Sequence, residues 1–288
     1  MADVNFKLPE KFVNLTNNHS KYLFILGGAG SGKSVFASFK LILRCITEPN
    51  HRFVAVRKVA KTIRESVFKE LTMRISEMNL NQFFDINKTE MKLLYKPTGS
   101  EIITYGLDDP EKLKSLAKIT GIWIEELCPE VDKNSFDQLI LRLRGETPFY
   151  KQVICTFNPV DERHWSKARL DEQRDGDHVH HSTMLDNPFI DQEYISEVKM
   201  MAKSNPNYYR IFYQGAWGRA EVQSPYFYNF ELSKHTGNVE LDDRFPLIFS
   251  FDFNVDPFVC IIAQIYRDSS GHHVHVLDEL TLFDSDVH

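Results

Sequence analysis

Apolar and polar residues follow two different periods along the first 160 residues. Short continuous apolar runs have the length of buried strands, and the stretches between them repeat apolar residues every three or four positions, as amphipathic helices do. The predicted strands are residues 21–26, 52–56, 122–124 and 153–157, and the predicted helices are residues 35–46 and 60–78. Strands that alternate with helices indicate an α/β fold with a mostly parallel sheet flanked by helices.

Two stretches depart from this pattern. Residues 91–95 and 102–105 flank the turn-forming sequence Pro-Thr-Gly-Ser, which predicts a hairpin inserted in the parallel sheet. From about residue 160 to residue 220 the sequence is polar and helix-prone. We expect a helical subdomain or linker there.

A second apolar core begins after a connector at residues 221–245. The strand candidates of this core are residues 247–253, 258–266 and 273–277. Consecutive strands with turn signals between them, such as Asp256-Pro257, predict the antiparallel start of a new sheet. The expected organisation is a first domain at residues 1–220, the connector, and a second domain at residues 246–288.

Composition places the chain among globular proteins with a substantial core, because 42% of its 288 residues are hydrophobic and 26% are charged. No apolar run approaches the roughly 20 residues that span a bilayer, and the first residues are too polar for a signal peptide. We therefore expect a soluble, intracellular chain that does not enter a membrane. Its four cysteines lie far apart, which favours reduced core thiols.

The net charge of −6 conceals an uneven distribution. Residues 1–100 contain 16 Lys and Arg against 8 Asp and Glu, whereas the remaining 188 residues contain 18 against 32. A basic first part suits a polyanionic partner and an acidic rear suits divalent metal ions, although solvated faces produce similar asymmetry.

The most specific motif lies between the first predicted strand and the first predicted helix. Its eight residues fit the phosphate-loop pattern G-x-x-x-x-G-K-S and are Gly27, Gly28, Ala29, Gly30, Ser31, Gly32, Lys33 and Ser34. Glycines let backbone N–H groups face phosphate oxygens, and the following helix adds a positive dipole. We expect Lys33 to contact the β- and γ-phosphates of a nucleotide and Ser34 to bind Mg²⁺. A glycine-rich turn with a coincidental lysine is the alternative.

Two adjacent acids follow the strand at residues 122–124. Nucleotide hydrolysis needs a carboxylate that holds the metal and a group that polarises the attacking water. Glu125 is the candidate for the first role, acting through water, and Glu126 for the second. Successive side chains of a strand face opposite sides, so both acids reach one site only if the strand ends there. A solvated acidic pair at a strand end is the alternative.

Further candidates end neighbouring strands. Thr156 and Asn158 are placed to sense a γ-phosphate, or else they belong to an ordinary Asn-Pro turn. Arg57 ends its strand, and Arg142 and Arg144 are spaced to share a face. Each arginine is a candidate to supply positive charge to the transition state, and surface or interface salt bridges are equally compatible with each of them.

The second core carries a separate pair of acids. Asp252 lies inside an apolar strand, where an unpaired charge is costly unless it meets a metal or a cation. Glu279 follows the third predicted strand. If the two acids converge, they suit a pair of Mg²⁺ or Mn²⁺ ions, as phosphodiester cleavage requires. Isolated acids are more often edge residues. Two-metal sites ordinarily include a third acid, and after Glu279 the only candidates for it are Asp284 and Asp286.

The ordered set of motifs resembles the large terminase subunits of tailed bacteriophages, the motors that pump DNA into empty capsids. The set adds to the phosphate loop Arg57-Lys58, Glu125-Glu126, Thr156 to Pro159 with His164-Trp165, Asp186-Asn187-Pro188, Gly215-Ala216-Trp217, and Asp252 with Asp256-Pro257. Each short motif is weak alone. The ordered set is specific, and it covers nearly the whole chain.

The resemblance implies a phosphate-loop ATPase followed by an RNase H-like nuclease that cuts concatemeric DNA. In this interpretation the phosphate loop, Arg57 and Glu125 bind ATP with Mg²⁺, Glu126 is catalytic, and Thr156 to Asn158 couple hydrolysis to movement. Asp252 and Glu279 match the first two metal-binding acids of the nuclease. One departure is Glu125, where many phosphate-loop enzymes carry aspartate.

A larger departure is the ending, because the family's nuclease continues through further elements that bear another metal-binding acid. We therefore expect a truncated or partly represented protein with a complete ATPase and roughly the first half of a nuclease. The resemblance also implies double-stranded DNA bound without strong sequence preference, a capsid portal protein, a small terminase subunit and a working ring of identical subunits. The implied place is the cytoplasm of an infected bacterium, not the mature virion.

Two other functions fit part of the sequence. Another phosphate-loop DNA motor, such as a helicase or a recombination ATPase, explains the first domain but leaves Asp252 and Glu279 without a role. A structural assembly component that is gated by nucleotide explains the phosphate loop without turnover.

Overall fold

The computed structural model describes residues 6–108, 116–219, 232–252, 258–269 and 271–282. The chain divides into two compact units, Met1–Glu221 and Val222–His288. The predicted turn at Asp256-Pro257 and the acids Asp284 and Asp286 lie outside the described residues.

The first unit is built on an eight-stranded sheet. Its strands are β1 (Tyr22–Gly27), β2 (Arg52–Arg57), β3 (Phe84–Asn87), β4 (Lys92–Tyr95), β5 (Ser100–Gly106), β6 (Gly121–Glu125), β7 (Gln152–Phe157) and β8 (Asp177–Ser182). They lie in the order β3-β4-β5-β2-β6-β7-β1-β8. The strands from β5 to β8 in that order are parallel, and β3, β4 and β5 pair antiparallel. The mostly parallel α/β fold with an inserted hairpin is therefore confirmed.

Helices connect these strands. The described α-helices of the first unit are Glu10–Val13, Lys33–Thr47, Ala60–Ile63, Lys69–Glu77, Leu127–Glu130, Lys133–Ile140, Trp165–Asp171, Gln192–Ser204 and Pro206–Tyr208. Two π-helical segments, Arg64–Phe68 and Tyr209–Tyr213, and two 3₁₀ turns, Asn14–Asn17 and Met184–Asp186, complete the set. The predicted helix at residues 60–78 is thus a helical stretch with a π-helical middle.

Two large apolar clusters lie one on each face of the sheet, and a smaller third cluster is formed by Met184, Ile195 and Val198. Alternation along β6 explains the division, because Trp123 belongs to one cluster and its neighbours Ile122 and Ile124 belong to the other. The helix Lys33–Thr47 covers the Trp123 side with Phe36. All four cysteines are buried free thiols, as predicted.

The polar stretch after β7 contains a strand that the sequence did not predict. β8 lies beside β1 at the edge of the sheet. A buried ion pair between Arg169 and Asp177, with two contacts of 2.9 Å, joins the preceding helix to this strand. The segment was expected to be polar and helix-prone, and it contains helices as well as β8, because an edge strand needs few apolar residues and its alternation is hard to separate from a polar helix.

The second unit contains β9 (Ile248–Asp252), β10 (Phe258–Asp268) and β11 (Gly271–Leu282), with a short helix at Leu232–His235. The strands form an antiparallel sheet with β10 in the middle. This confirms the predicted strand sequence. Among the helices of the described ranges, none has the length and apolar character needed to cross a membrane.

Candidate nucleotide site

The phosphate loop joins β1 to the helix Lys33–Thr47 at the carboxyl edge of the parallel strands. Gly30 and Gly32 adopt the left-handed conformation, with φ of 68° and 91°. A Cβ atom at Gly27 would lie 1.8 Å from the carbonyl oxygen of Ser182, so β8 approaches too closely for a side chain. The glycines are therefore required both by the turn and by the packing beside it.

Lys33 is almost fully buried at the centre of this loop. Its ammonium group donates to the carbonyl oxygens of Gly27 and Gly28 at 3.1 and 2.6 Å, and to Asn158 Oδ1 at 2.9 Å. Burial lowers the pKa of Lys33 to about 8, although nearby acids oppose that shift. The loop thus keeps a cation where phosphate groups would enter.

Glu125 lies opposite Ser34 and accepts hydrogen bonds at both carboxylate oxygens. Ser34 Oγ donates to Oε1 at 2.7 Å, and Thr156 Oγ1 donates to Oε2. Burial raises the pKa of Glu125, and the two hydroxyl groups act in the opposite direction. Hydroxyl and carboxylate oxygens are the ligand type that Mg²⁺ prefers, so Ser34 and Glu125 fit a magnesium site.

The protein itself offers few ligands for that ion. Across the described ranges, no group of three or more His, Cys, Asp or Glu side chains is arranged to hold a metal. Mg²⁺ commonly binds through one or two protein oxygens together with substrate phosphates and water. Ser34 and Glu125 could therefore hold such an ion only together with nucleotide phosphates and water.

Glu126 reaches the same edge because β6 ends at Glu125 and Glu126 itself is left-handed, with φ of 54° and ψ of 54°. This turn breaks the strand alternation that would have sent the two acids to opposite faces. Arg57 Nη2 donates to Glu126 Oε2 at 2.5 Å and to Glu130 Oε1 at 3.3 Å. Burial raises the pKa of Glu126, and Arg57 opposes the rise. In this structure Arg57 contacts the acids, not the phosphate loop.

The strand order brings the other candidates to the loop. β7 lies between β1 and β6, so its carboxyl end faces both of them. Thr156 consequently contacts Glu125, and Asn158 contacts Lys33. Thr156 and Asn158, which the sequence predicts to sense a γ-phosphate, therefore contact Glu125 and Lys33, the side chains expected to hold the metal and the phosphates.

Arg142 and Arg144 lie elsewhere. Arg144 lines a groove with Lys118 and Glu101, and the neighbouring Gly145 N–H donates to the carbonyl of Ile119, which precedes β6. This is the amino edge of the sheet, opposite the phosphate loop. Within the described part of the chain, neither arginine forms a hydrogen bond or ion pair with the phosphate loop of its own subunit.

The segment after β8 covers the phosphate loop, and local sequence patterns assigned no role to its residues. Asn187 Nδ2 donates to the carbonyl oxygen of Gly30 at 2.8 Å. The Ala29 N–H donates to the carbonyl of Phe212 at 2.9 Å, and the backbone of Gly215 packs against Gly27 and Gly28. Asn187 and Gly215 belong to the ordered set of motifs, and this was the feature of the sequence that could have indicated their place at the loop.

In the second unit, the register places Asp252 and Glu279 on one face of the sheet. Asp252 pairs with Val259 and Glu279 pairs with Ile261, two residues further along the central strand. Residues paired directly and two apart share a face. Asp252 lies within the apolar strand β9, as its sequence suggested, and every residue of β9 is exposed in the described structure.

Taken together, a loop of this sequence between a central parallel strand and a helix, opposed by an acid from the strand two positions away, defines the phosphate-loop class of nucleotide-binding α/β proteins. A model of the family described as phage terminase large subunit matches residues 19–216. The chain belongs to the phage terminase large subunit family.

Two curated relatives agree with this assignment. The PBSX phage terminase large subunit of Bacillus subtilis (strain 168) is 34% identical over 223 residues, which are 70% of this chain and 50% of that protein. The large terminase subunit of Bacillus phage SPP1 is 28% identical over 274 residues, or 91% of this chain and 64% of that protein. The chain thus spans between half and two thirds of the length of these relatives.

Solved structures show the same fold. The large terminase from a thermophilic bacteriophage superposes with a TM-score of 0.63 at 16% identity, covering 96% of this chain and 69% of that one. The same phage protein has also been solved with ADP and with ATP-γ-S. The ATPase domain of the Thermus phage P74-26 large terminase gives a TM-score of 0.53 at 14% identity, over 74% of this chain and 94% of that domain.

Proposed function

We propose that this chain is an ATP-hydrolysing motor that drives double-stranded viral DNA into a procapsid. The observation that carries the proposal is the meeting of Lys33, Ser34, Glu125 and Glu126 at one edge of the sheet, with Thr156 bridging to Glu125. The nucleotide complexes of the thermophilic phage terminase support ATP as the ligand.

Each residue of the site has a distinct role in this proposal. Backbone N–H groups of the loop and Lys33 bind the β- and γ-phosphates, while Ser34 and Glu125 hold Mg²⁺. Mg²⁺, when bound, neutralises charge on the phosphate oxygens. Glu126 orients the attacking water and accepts its proton, once Arg57 leaves it for the developing negative charge.

The hydrogen bond of 2.9 Å between Lys33 and Asn158 supplies the coupling. Lys33 gives up that bond to reach a γ-phosphate and regains it when the phosphate leaves. Each cycle therefore changes the restraint on the end of β7 by one charge-assisted hydrogen bond. We propose that this change moves the DNA-gripping surface.

A cavity of about 590 Å³ beside the loop suits the adenine ring. Pro9, Gly32, Val35 and the exposed ring of Phe189 form part of its lining, together with the polar side chains of Lys7, Arg74, Glu77 and Asn187. A flat base would lie against the apolar surfaces while its phosphates enter the loop, and the polar side chains could meet the edge of the base.

The proposed partners are double-stranded DNA gripped by its backbone, the capsid portal and the small terminase subunit, with the chain working as a ring in the cytoplasm of the infected host. A packaging motor handles any sequence, so phosphate contacts must dominate the grip. Arg142 and Arg144 lie away from their own phosphate loop, so a catalytic arginine from this pair would act across a subunit boundary.

Steady-state ATP turnover, measured with and without DNA and portals, tests the proposal. Glu126→Gln should reduce turnover by about 10²- to 10⁴-fold, the range for loss of a general base, while ATP-γ-S still binds. Lys33→Ala should lose both binding and turnover. The matched control is Glu172→Gln, which alters an exposed acid paired with Arg174.

The results separate the alternatives. Stimulation by both DNA and portals supports packaging, and unwinding of duplex DNA without its translocation would favour a helicase or recombination motor. Absence of turnover in the unaltered protein with every partner present would favour a nucleotide-gated structural component.

We further propose that the second unit supplies Asp252 and Glu279 to a Mg²⁺- or Mn²⁺-dependent endonuclease site. Their shared face across β10 supports this role. Cleavage of plasmid DNA in the presence of Mg²⁺ or Mn²⁺ tests this role. Asp252→Asn should reduce any cleavage that the chain supports, whereas cleavage unaffected by Asp252→Asn would place the nuclease elsewhere.

A further inference from the structure

Trp123 is the largest fully buried side chain among the described residues, and it lies two residues before Glu125 on the same face of β6. Its indole N–H donates to Thr156 Oγ1 at 2.9 Å. Trp123 has no role in the ATPase mechanism proposed above, although its hydrogen-bond partner Thr156 contacts the carboxylate of Glu125, which would hold the metal.

The direction of these hydrogen bonds is determined by chemistry. An indole N–H can only donate, so Thr156 Oγ1 must accept from Trp123. The single hydroxyl hydrogen then has two acceptors, Glu125 Oε2 and the carbonyl of Ile124, of which the latter is 3.5 Å away. The closer carboxylate receives it. The three side chains therefore form a chain of two hydrogen bonds, in which Trp123 donates to Thr156 and Thr156 donates to Glu125. We call this chain the relay.

Strand register holds the relay together. Thr156 on β7 pairs directly with Glu125, and Trp123 reaches it diagonally from its own place opposite Ile154. Rotation of the Thr156 side chain would leave both the indole N–H and one oxygen of Glu125 without partners in a buried site, which is unfavourable. Trp123 therefore restrains the rotamer of Thr156, and through it the plane of the Glu125 carboxylate.

We propose that Trp123 is a positioning residue for ATP hydrolysis, acting through Thr156 to orient Glu125 toward the metal bound with the nucleotide. This inference rests on the proposed ATPase function. Loss of the indole N–H should loosen Glu125 without removing any group that contacts the phosphates.

Turnover as a function of Mg²⁺ concentration tests this role in the full chain. Trp123→Phe should raise the Mg²⁺ concentration for half-maximal turnover by roughly three- to tenfold, the scale of one lost hydrogen bond, and leave metal-free ADP affinity unchanged. Trp165→Phe is the matched control, because Trp165 donates to the carbonyl of Val131 in the other apolar cluster. It should leave the Mg²⁺ dependence unchanged.

A double-mutant comparison distinguishes positioning from simple packing. If Trp123 acts through the Thr156 hydroxyl, Trp123→Phe should have almost no further effect on Mg²⁺ dependence in the Thr156→Val background. An equal effect in both backgrounds would overturn the proposal, because it would mean that only the bulk of Trp123 matters.

Indole N–H resonances provide a readout that needs no catalysis. The chain has three tryptophans, so the Trp123 signal can be identified by its loss in Trp123→Phe. Thr156→Val should shift this signal upfield, and an unshifted signal would overturn the relay. If the unaltered protein shows no ATP turnover, the ATPase proposal fails on its own, while the resonance still decides whether the relay exists.

Discussion

The buried ammonium of Lys33 should make nucleotide affinity depend on pH in an unusual range. Its pKa in the free protein is about 8, because burial disfavours the charged form. Bound phosphates add negative charge beside the ammonium and must raise that pKa. Nucleotide therefore binds the form of the protein in which Lys33 is protonated. The affinity for nucleotide is highest well below pH 8 and falls as the pH rises through that value.

The size of the fall follows from the fraction of Lys33 that stays protonated. For a pKa of about 8, that fraction drops by roughly tenfold or more between pH 7.5 and pH 9.5, and the affinity should fall by a similar factor while bound phosphates keep the pKa of Lys33 above this range. Phosphate groups themselves titrate near pH 6, below this window.

Titration calorimetry with ATP-γ-S at pH 7.5, 8.5 and 9.5 measures the effect directly. Lys33→Arg is the matched control, since a guanidinium keeps its charge throughout this range. Its affinity should be lower but nearly independent of pH. A constant affinity in the unaltered protein, or the same fall in Lys33→Arg, would refute the reasoning.

Two further predictions concern DNA and stability. Binding to duplex DNA should weaken steeply with salt and vary little with base sequence, with a logarithmic slope of about 0.9 per phosphate contact, measured by fluorescence anisotropy; a small slope or strong sequence preference would contradict a backbone grip. Arg169→Met should lower stability by about 3–5 kcal/mol, because it leaves Asp177 buried without its partner, and thermal unfolding should show it. Adding Asp177→Leu should restore much of that loss, and no restoration would mean that the buried charge is not the cause.

Local patterns were enough to predict the phosphate loop and most of the sheet. Glycine spacing, a following helix and apolar runs are properties of a few adjacent residues, so they can be seen without knowing the fold. The predicted strands at residues 52–56 and 153–157 differ from β2 and β7 by one residue at an end. Polar β8 was missed because an edge strand next to solvent needs no apolar run.

The tertiary structure decided which of the candidate residues meet. Chain order does not specify strand order, and only the position of β7 between β1 and β6 brings Thr156 to Glu125 and Asn158 to Lys33. Likewise, only the left-handed turn at Glu126 directs that acid to the side of Arg57.

The sequence alone determined which candidate functional groups the protein contains: a phosphate-binding loop, two acids after a buried strand, and a second acidic pair in a later core. The tertiary structure alone decided the pairing partners, the covering of the loop by residues after β8, and the relay from Trp123. The physical reason is distance along the chain, since hydrogen bonds between residues 30 or more positions apart depend on strand order and register, which no local pattern encodes.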